Sequence, residues 1–196
     1  MGILRAPELL TTERLQLQPM GIADATDIFR YASDPEATRF MTFARQHTIA
    51  EAESFARRCA QCWQDGSAFP WRISERATGA FIGAIELRLK PPKADFGYIL
   101  CPPHWRQGFA SEAATAVVAW AIAQPEIFRV WATCHPDNIA SARVLEKSGL
   151  SREGRLACWG AAAESGRAGG RFPRLCGDAT TRLAIVRLMK AAPATA

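Results

Sequence analysis

No apolar run in this chain approaches the ~18 residues that a membrane-spanning helix requires, so no membrane span is expected. The opening MGILRAPELL lacks a signal-peptide cleavage pattern, and it lacks the Ser or Thr that a myristoylation site carries. A cytoplasmic location is the expectation. Basic runs are missing too: the formal charge of +5 is spread along the chain, which argues against a nucleic-acid partner and suits an anionic small ligand. Cys59 and Cys62 form a CxxC, but no second pair accompanies it, so a structural zinc site is not indicated. The pair falls inside the helical stretch Ile49 to Trp63, whereas redox pairs open a helix after a strand. Cys101, Cys134, Cys158 and Cys176 show no ligand spacing, and reduced thiols are the reading. No metal is expected. Repeats and long linkers are also absent, so one domain is expected over residues 1–196, with its core from about residue 8 to about residue 190.

What is present is enough apolar content for a substantial core, 48% hydrophobic against 22% charged. Thr12 to Pro19 alternates Leu15 and Leu17 with polar residues and reads as a half-exposed strand. A short helix begins at Asp24, Ser33 to Glu36 is a turn, and Thr48 with Glu51 forms a capping box for the next helix. Strands follow at Phe69 to Ser74, Phe81 to Leu89 and Asp95 to Leu100. After the breakers Pro102 and Pro103, the stretch Trp105-Arg106-Gln107-Gly108-Phe109-Ala110-Ser111-Glu112-Ala113 runs straight into a helix that lasts to Ala123. A helix start offers unpaired N–H groups and the positive end of the macrodipole, and Gly108 and Ala110 keep side chains out of the way. The turn is therefore a candidate anion cradle. Arg129 to Cys134 then reads as a strand, Asn138 to Ser148 as a helix ended by Gly149, Leu150 to Cys158 as a strand, Gly160 to Gly170 as a loop, and Thr180 to Met189 as a last strand.

Taken together, RQGFASEA, NxxSxxVLEKxGL and the Glu153-Gly154 pair resemble the GCN5-related N-acetyltransferase (GNAT) superfamily, and within it the RimJ/RimL branch of ribosomal-protein N-terminal acetyltransferases. The resemblance runs from TERLQLQP to DATTRLAIVRLM. It implies an α/β fold with a mixed, mostly antiparallel central sheet, flanking helices, and two strands, ending at Leu100 and Cys134, that splay apart. In that gap the pantetheine arm of acetyl-CoA would pair with Ile99 and Leu100, the amides of Arg106, Gln107, Gly108, Phe109, Ala110 and Ser111 would hold the pyrophosphate, and Asn138 would bind the far side of the arm. Asn138 could instead simply cap its helix. Two positions depart from the wider superfamily: Trp105 stands where Arg or Gln is usual, and Leu145 stands where a thiolate-protonating Tyr is usual. The nearest hydroxyl by spacing is Ser141, which resembles the serine of the RimJ/RimL branch: it would bind the cofactor by donating to the sulfur as the acid or by only positioning it, or it is a helix-surface serine without a role.

The implied chemistry is direct attack of a primary amine on a thioester within a ternary complex, with acetyl-CoA as cosubstrate. It requires a neutral amine, a polarised carbonyl and a stabilised thiolate. A backbone N–H near Leu100 can serve the carbonyl. Glu86, Asp95 and Tyr98 are the candidate bases, and each could equally face solvent from a strand. His104 reads as a loop-surface residue. The Tyr31 to Thr48 segment and the Gly160 to Gly170 loop would wall the acceptor site, with Asp34 and Glu36 available to attract a cation. A protein N-terminus, polyamine, amino sugar or amino acid would fit as acceptor, and the subfamily likeness favours a protein α-amine. A non-catalytic acyl-CoA-binding regulator is the alternative from another class. The protein is expected to be a monomer or homodimer.

Overall fold

A computed structural model describes residues 4–156 and 183–189. Among the described residues, eight strands form one sheet: β1 (Leu10–Thr11), β2 (Leu15–Pro19), β3 (Phe69–Glu75), β4 (Phe81–Lys90), β5 (Lys93–Leu100), β6 (Arg129–Cys134), β7 (Ser151–Leu156) and β8 (Leu183–Met189). Their order is β1-β2-β3-β4-β5-β6-β8-β7, so the last strand inserts between β6 and β7. Every neighbouring pair is antiparallel except β5 and β6, which run parallel. The helices are α1 (Ala25–Ala32), α2 (Pro35–Thr38), α3 (Ile49–Asp65), α4 (Phe109–Ala123) and α5 (Ile139–Lys147).

Two apolar layers sandwich the sheet, and the strand period of two assigns residues to each. On one face α4 and α5 pack Phe109, Ala113, Val117 and Leu145 against Trp71, Ile85, Phe96, Leu100 and Val130. On the other, α1 and α3 pack Ile28, Tyr31, Ala52 and Ala56 against Met20, Phe81 and Ile99. α4 is apolar almost throughout, as a helix laid across the centre of a sheet must be.

The expected elements are present with shifted ends. β2 starts at Leu15 rather than Thr12, because Thr12 turns the chain: its N–H donates to the Leu15 carbonyl at 2.9 Å and its Oγ1 accepts from the Leu15 N–H at 3.0 Å. The expected Ser33–Glu36 turn opens a helix, α2, because Asp34 Oδ1 caps it by accepting from the Glu36 and Ala37 amides, both at 2.8 Å. The Thr48–Glu51 capping box forms as expected, and α3 ends where Gly66 takes φ 73°. Cys59 and Cys62 lie one turn apart on α3 as free thiols. The Gly160–Gly170 loop, Cys158 and Cys176 lie outside the described residues.

Candidate active site

The site begins where β5 and β6 part. They pair only at Lys93↔Arg129, Ala94↔Val130 and Asp95↔Trp131, and past these positions the register has no further partners. On its other edge β5 is laddered to β4 along its whole length, from Lys90↔Lys93 to Gly83↔Leu100. The Cys101 N–H donates to the Ile82 carbonyl at 2.9 Å, and hydrogen-bonded and non-hydrogen-bonded pairs alternate in an antiparallel ladder. Ile99 therefore turns its backbone groups to β4, while Phe96, Tyr98 and Leu100 turn theirs toward the fork. Of the two residues expected to meet a pantetheine arm, Leu100 faces the gap and Ile99 does not. Its side chain is buried in the α1/α3 layer instead.

Next comes the cradle. The Trp105 indole Nε1 donates to the Leu100 carbonyl at 2.9 Å, tying the turn to the end of β5. That contact gives the unusual tryptophan a role. Arg106 at φ 60° and Gly108 at φ 85° coil the chain left-handed before α4 starts at Phe109. Within α4 the Glu112 N–H is the one that closes on the Gly108 carbonyl, at 3.0 Å, so the amides of Phe109, Ala110 and Ser111 precede the intrahelical ladder. Among the described residues no side chain caps this end. His104, expected as a surface residue, sits half-buried with its ring 6.3 Å from that of Phe109.

Across the fork, Asn138 does cap α5, its side-chain oxygen accepting from the Ser141 N–H at 3.0 Å. The Ser141 Oγ accepts from the Tyr98 hydroxyl at 3.0 Å, a contact joining α5 to β5. Burial pushes the Tyr98 phenol up to about 12, with the Ser141 hydrogen bond offsetting part of the effect. In this contact the Tyr98 hydroxyl is the donor.

Glu86 and Asp95 project from the opposite face of the sheet to Tyr98, and both are bound to one cation. The Arg88 Nη1 pairs with Glu86, and its Nε donates to Asp95 Oδ2 at 2.6 Å. Asp95 also sits at the closed end of the fork, five residues before Leu100, or about 16 Å along a strand. There it is held in an ion pair with Arg88.

Three features had no signal in the sequence. The Phe40 ring stacks on His135 with centroids 5.2 Å apart, which carries the Tyr31–Thr48 segment across to the end of β6. A cavity of about 370 Å3 opens between α1, that segment and α3, lined by Ile28, Tyr31, Phe43, Gln46 and Phe55. The third is a cluster around Arg14 and Glu112, which joins residues 98 apart.

Residues 14–151 match the acetyltransferase (GNAT) domain family. This chain is a GNAT acetyltransferase. It is 36% identical over 151 residues, 76% of this chain and 85% of the other, to the uncharacterized N-acetyltransferase YoaA of Bacillus subtilis. Its fold superposes with TM-score 0.73 on a GNAT-family acetyltransferase from Bacillus anthracis at 21% identity, covering 92% of this chain and 98% of that one. It also superposes with TM-score 0.74 on RimL, a ribosomal L7/L12 α-N-protein acetyltransferase in complex with coenzyme A, at 16% identity over 93% and 98% of the two chains. The GNAT assignment makes the chain an acetyl-CoA-dependent N-acetyltransferase, and the site fits that cosubstrate. β5 presents backbone groups along an open edge, and the turn before α4 is a glycine cradle in which an added Cβ at Gly108 would meet Arg14 Nη2 at 3.3 Å. Among the described residues no helix is long and apolar enough to cross a membrane, and no three His, Cys, Asp or Glu side chains cluster as metal ligands would.

Proposed function

We propose that this acetyltransferase acts on the α-amine at a protein or peptide N-terminus. The observation supporting that choice is the engagement of both candidate carboxylates, Glu86 and Asp95, by Arg88. Among the described residues, both candidate carboxylates are already paired with a cation, which suits the site poorly to a strongly basic amine. Making an α-amine of pKa ~8 neutral at pH 7 costs roughly 1.4 kcal/mol, against about 4.6 kcal/mol for a lysine of pKa ~10.4. An acceptor that deprotonates to water suits such a site. RimL, whose fold this chain shares, is an α-N-protein acetyltransferase, which points the same way.

Bound acetyl-CoA supplies the thioester. The chain supplies the rest. The Leu100 N–H, turned to the fork, is the donor for the thioester oxygen. The first-turn amides of α4, with those of Arg106, Gln107 and Gly108, hold the diphosphate. Asn138 keeps α5 in place through its cap and leaves its side-chain NH2 for the pantetheine arm. Ser141 receives a hydrogen bond from Tyr98 and keeps its own proton to donate, which suits it to protonate the departing thiolate. Ser141→Ala is expected to lower kcat about tenfold to a hundredfold, at the low end of general-acid effects or just below, with the acetyl-CoA Kd kept. Tyr98→Phe should give a smaller loss of the same kind. Unchanged turnover in both would remove the hydroxyl pair from the reaction.

The acceptor is tested by incubating the enzyme and acetyl-CoA with a mixture of a free-N-terminus peptide, an Nα-blocked lysine peptide, spermidine and glucosamine. Products are read by mass spectrometry. Preferential acetylation of the free N-terminus is expected. A preference for any other component would move the assignment to that amine, and acetyl-CoA binding without thiol release against any amine would favour a non-catalytic regulator.

A further inference from the structure

Arg14 lies in the turn before β2, far from the phosphate turn in sequence and against it in space. Its Nε donates to Glu112 Oε2 at 2.8 Å, its Nη2 pairs with the same oxygen at 2.7 Å, and its Nη1 donates to the Gln107 carbonyl at 3.1 Å. The guanidinium lies over the Phe109 ring, 4.5 Å from its centroid. The same strap binds the other carboxylate oxygen, Glu112 Oε1, which accepts from Thr12 Oγ1 at 2.5 Å and from the Arg14 N–H at 2.8 Å. Burial raises the Glu112 carboxyl, but these hydrogen bonds outweigh it and hold it below its ordinary range.

This arrangement answers an electrostatic problem. Glu112 stands in the first turn of α4, and its side chain leans toward the helix start where a diphosphate would bind. A bare carboxylate there would oppose the anion that the helix end attracts. The Arg14 guanidinium cancels that charge, and its grip on the Gln107 carbonyl fixes the left-handed turn. With its side chain 44% exposed, against 18% for Glu112, it is also the partner that a ligand phosphate can reach.

We propose that Arg14 is a phosphate-positioning residue, which neutralises Glu112 and pins the Gln107–Gly108 turn so that the α4 amides accept a diphosphate. The inference rests on the acetyl-CoA assignment above. The test compares acetyl-CoA with S-acetylpantetheine, which has no phosphate, by measuring Kd in the absence of an amine acceptor for wild type, Arg14→Met, Glu112→Gln and the double variant. Arg14→Met should raise the acetyl-CoA Kd about 10- to 30-fold and leave S-acetylpantetheine within about twofold. Adding Glu112→Gln to Arg14→Met should recover most of that loss, because it removes the stranded carboxylate. Glu112→Gln alone should bind acetyl-CoA at least as tightly as wild type, with steeper salt dependence, because the guanidinium is then uncompensated.

A purely structural staple gives the opposite pattern: both ligands weaken together, Glu112→Gln weakens binding, and the double variant is the worst. Any of these overturns the proposal. If Arg14→Met does not fold, as judged by its thermal melt, the sign of the Glu112→Gln effect still decides. Wild-type protein that binds no acetyl-CoA would sink the functional assignment itself, whereas wild-type binding with an unaffected Arg14→Met sinks only the role of Arg14.

Discussion

Gly108→Asp is expected to weaken acetyl-CoA binding by about two to three orders of magnitude while leaving the fold intact. At φ 85° a side chain costs about 1–2 kcal/mol of backbone energy, and this acts on bound and free protein alike. The larger effect is charge. A carboxylate roughly 4 Å from a phosphate oxygen is repelled by about 4 kcal/mol at a surface-like dielectric, and partial screening still leaves a 100- to 1,000-fold loss. Arg14 stands next to the new Cβ, at 3.3 Å. It could take the new carboxylate only by leaving Glu112, so the cluster gains one negative charge either way. Gly108→Ala is the control, since its Cβ meets only the end of that flexible side chain. Isothermal titration calorimetry should find the alanine variant within about fivefold of wild type. An aspartate variant that binds like the alanine variant would remove this turn as the anion site.

The strand, turn and helix around Gly108 were legible in the sequence because they depend on local chemistry, whereas the fork was expected only from the family resemblance. Prolines at 102 and 103 end β5, glycine at 108 coils the turn, and alanines keep α4 slim, so strand, turn and helix could be read from adjacent residues and matched to a family. What was not legible depends on environment. Tyr98 looks like a strand residue with a free hydroxyl, and only the packing of β5 against α5 brings that hydroxyl to Ser141. Nor does spacing show that Glu86 and Asp95 share Arg88, which is two residues from one and paired with the other across the ladder. Ile99 and Leu100 are adjacent, yet they face opposite edges because register decides which amides point outward. The contact of Arg14 with Glu112 spans 98 residues, and the insertion of β8 between β6 and β7 is equally non-local. No spacing rule reaches that far.

Gly83→Val is expected to destabilise the protein by about 3 kcal/mol or more, read as a fall in Tm of roughly 6–12 °C for a domain of this size. Gly83 faces Leu100 across the β4–β5 ladder. A Cβ there would stand 2.3 Å from the Ile99 carbonyl oxygen and 2.8 Å from the Leu100 Cα, and neither is a side-chain tip that can swing away. The two strands must separate where β5 reaches the mouth of the fork. That movement carries the Leu100 N–H with it, so even Gly83→Ala should lose turnover, by about tenfold or more, although residue 83 lies behind β5 rather than in the gap. Gly79 supplies the contrast. Its φ is +71° but nothing lies within 4 Å of an added Cβ, so Gly79→Ala should cost about 1–2 kcal/mol of strain and leave kcat unchanged. Thermal melts paired with steady-state kinetics separate the two. A Gly83→Ala protein that melts and turns over like wild type would mean that β4 does not press on Leu100, and the open edge would then need another support.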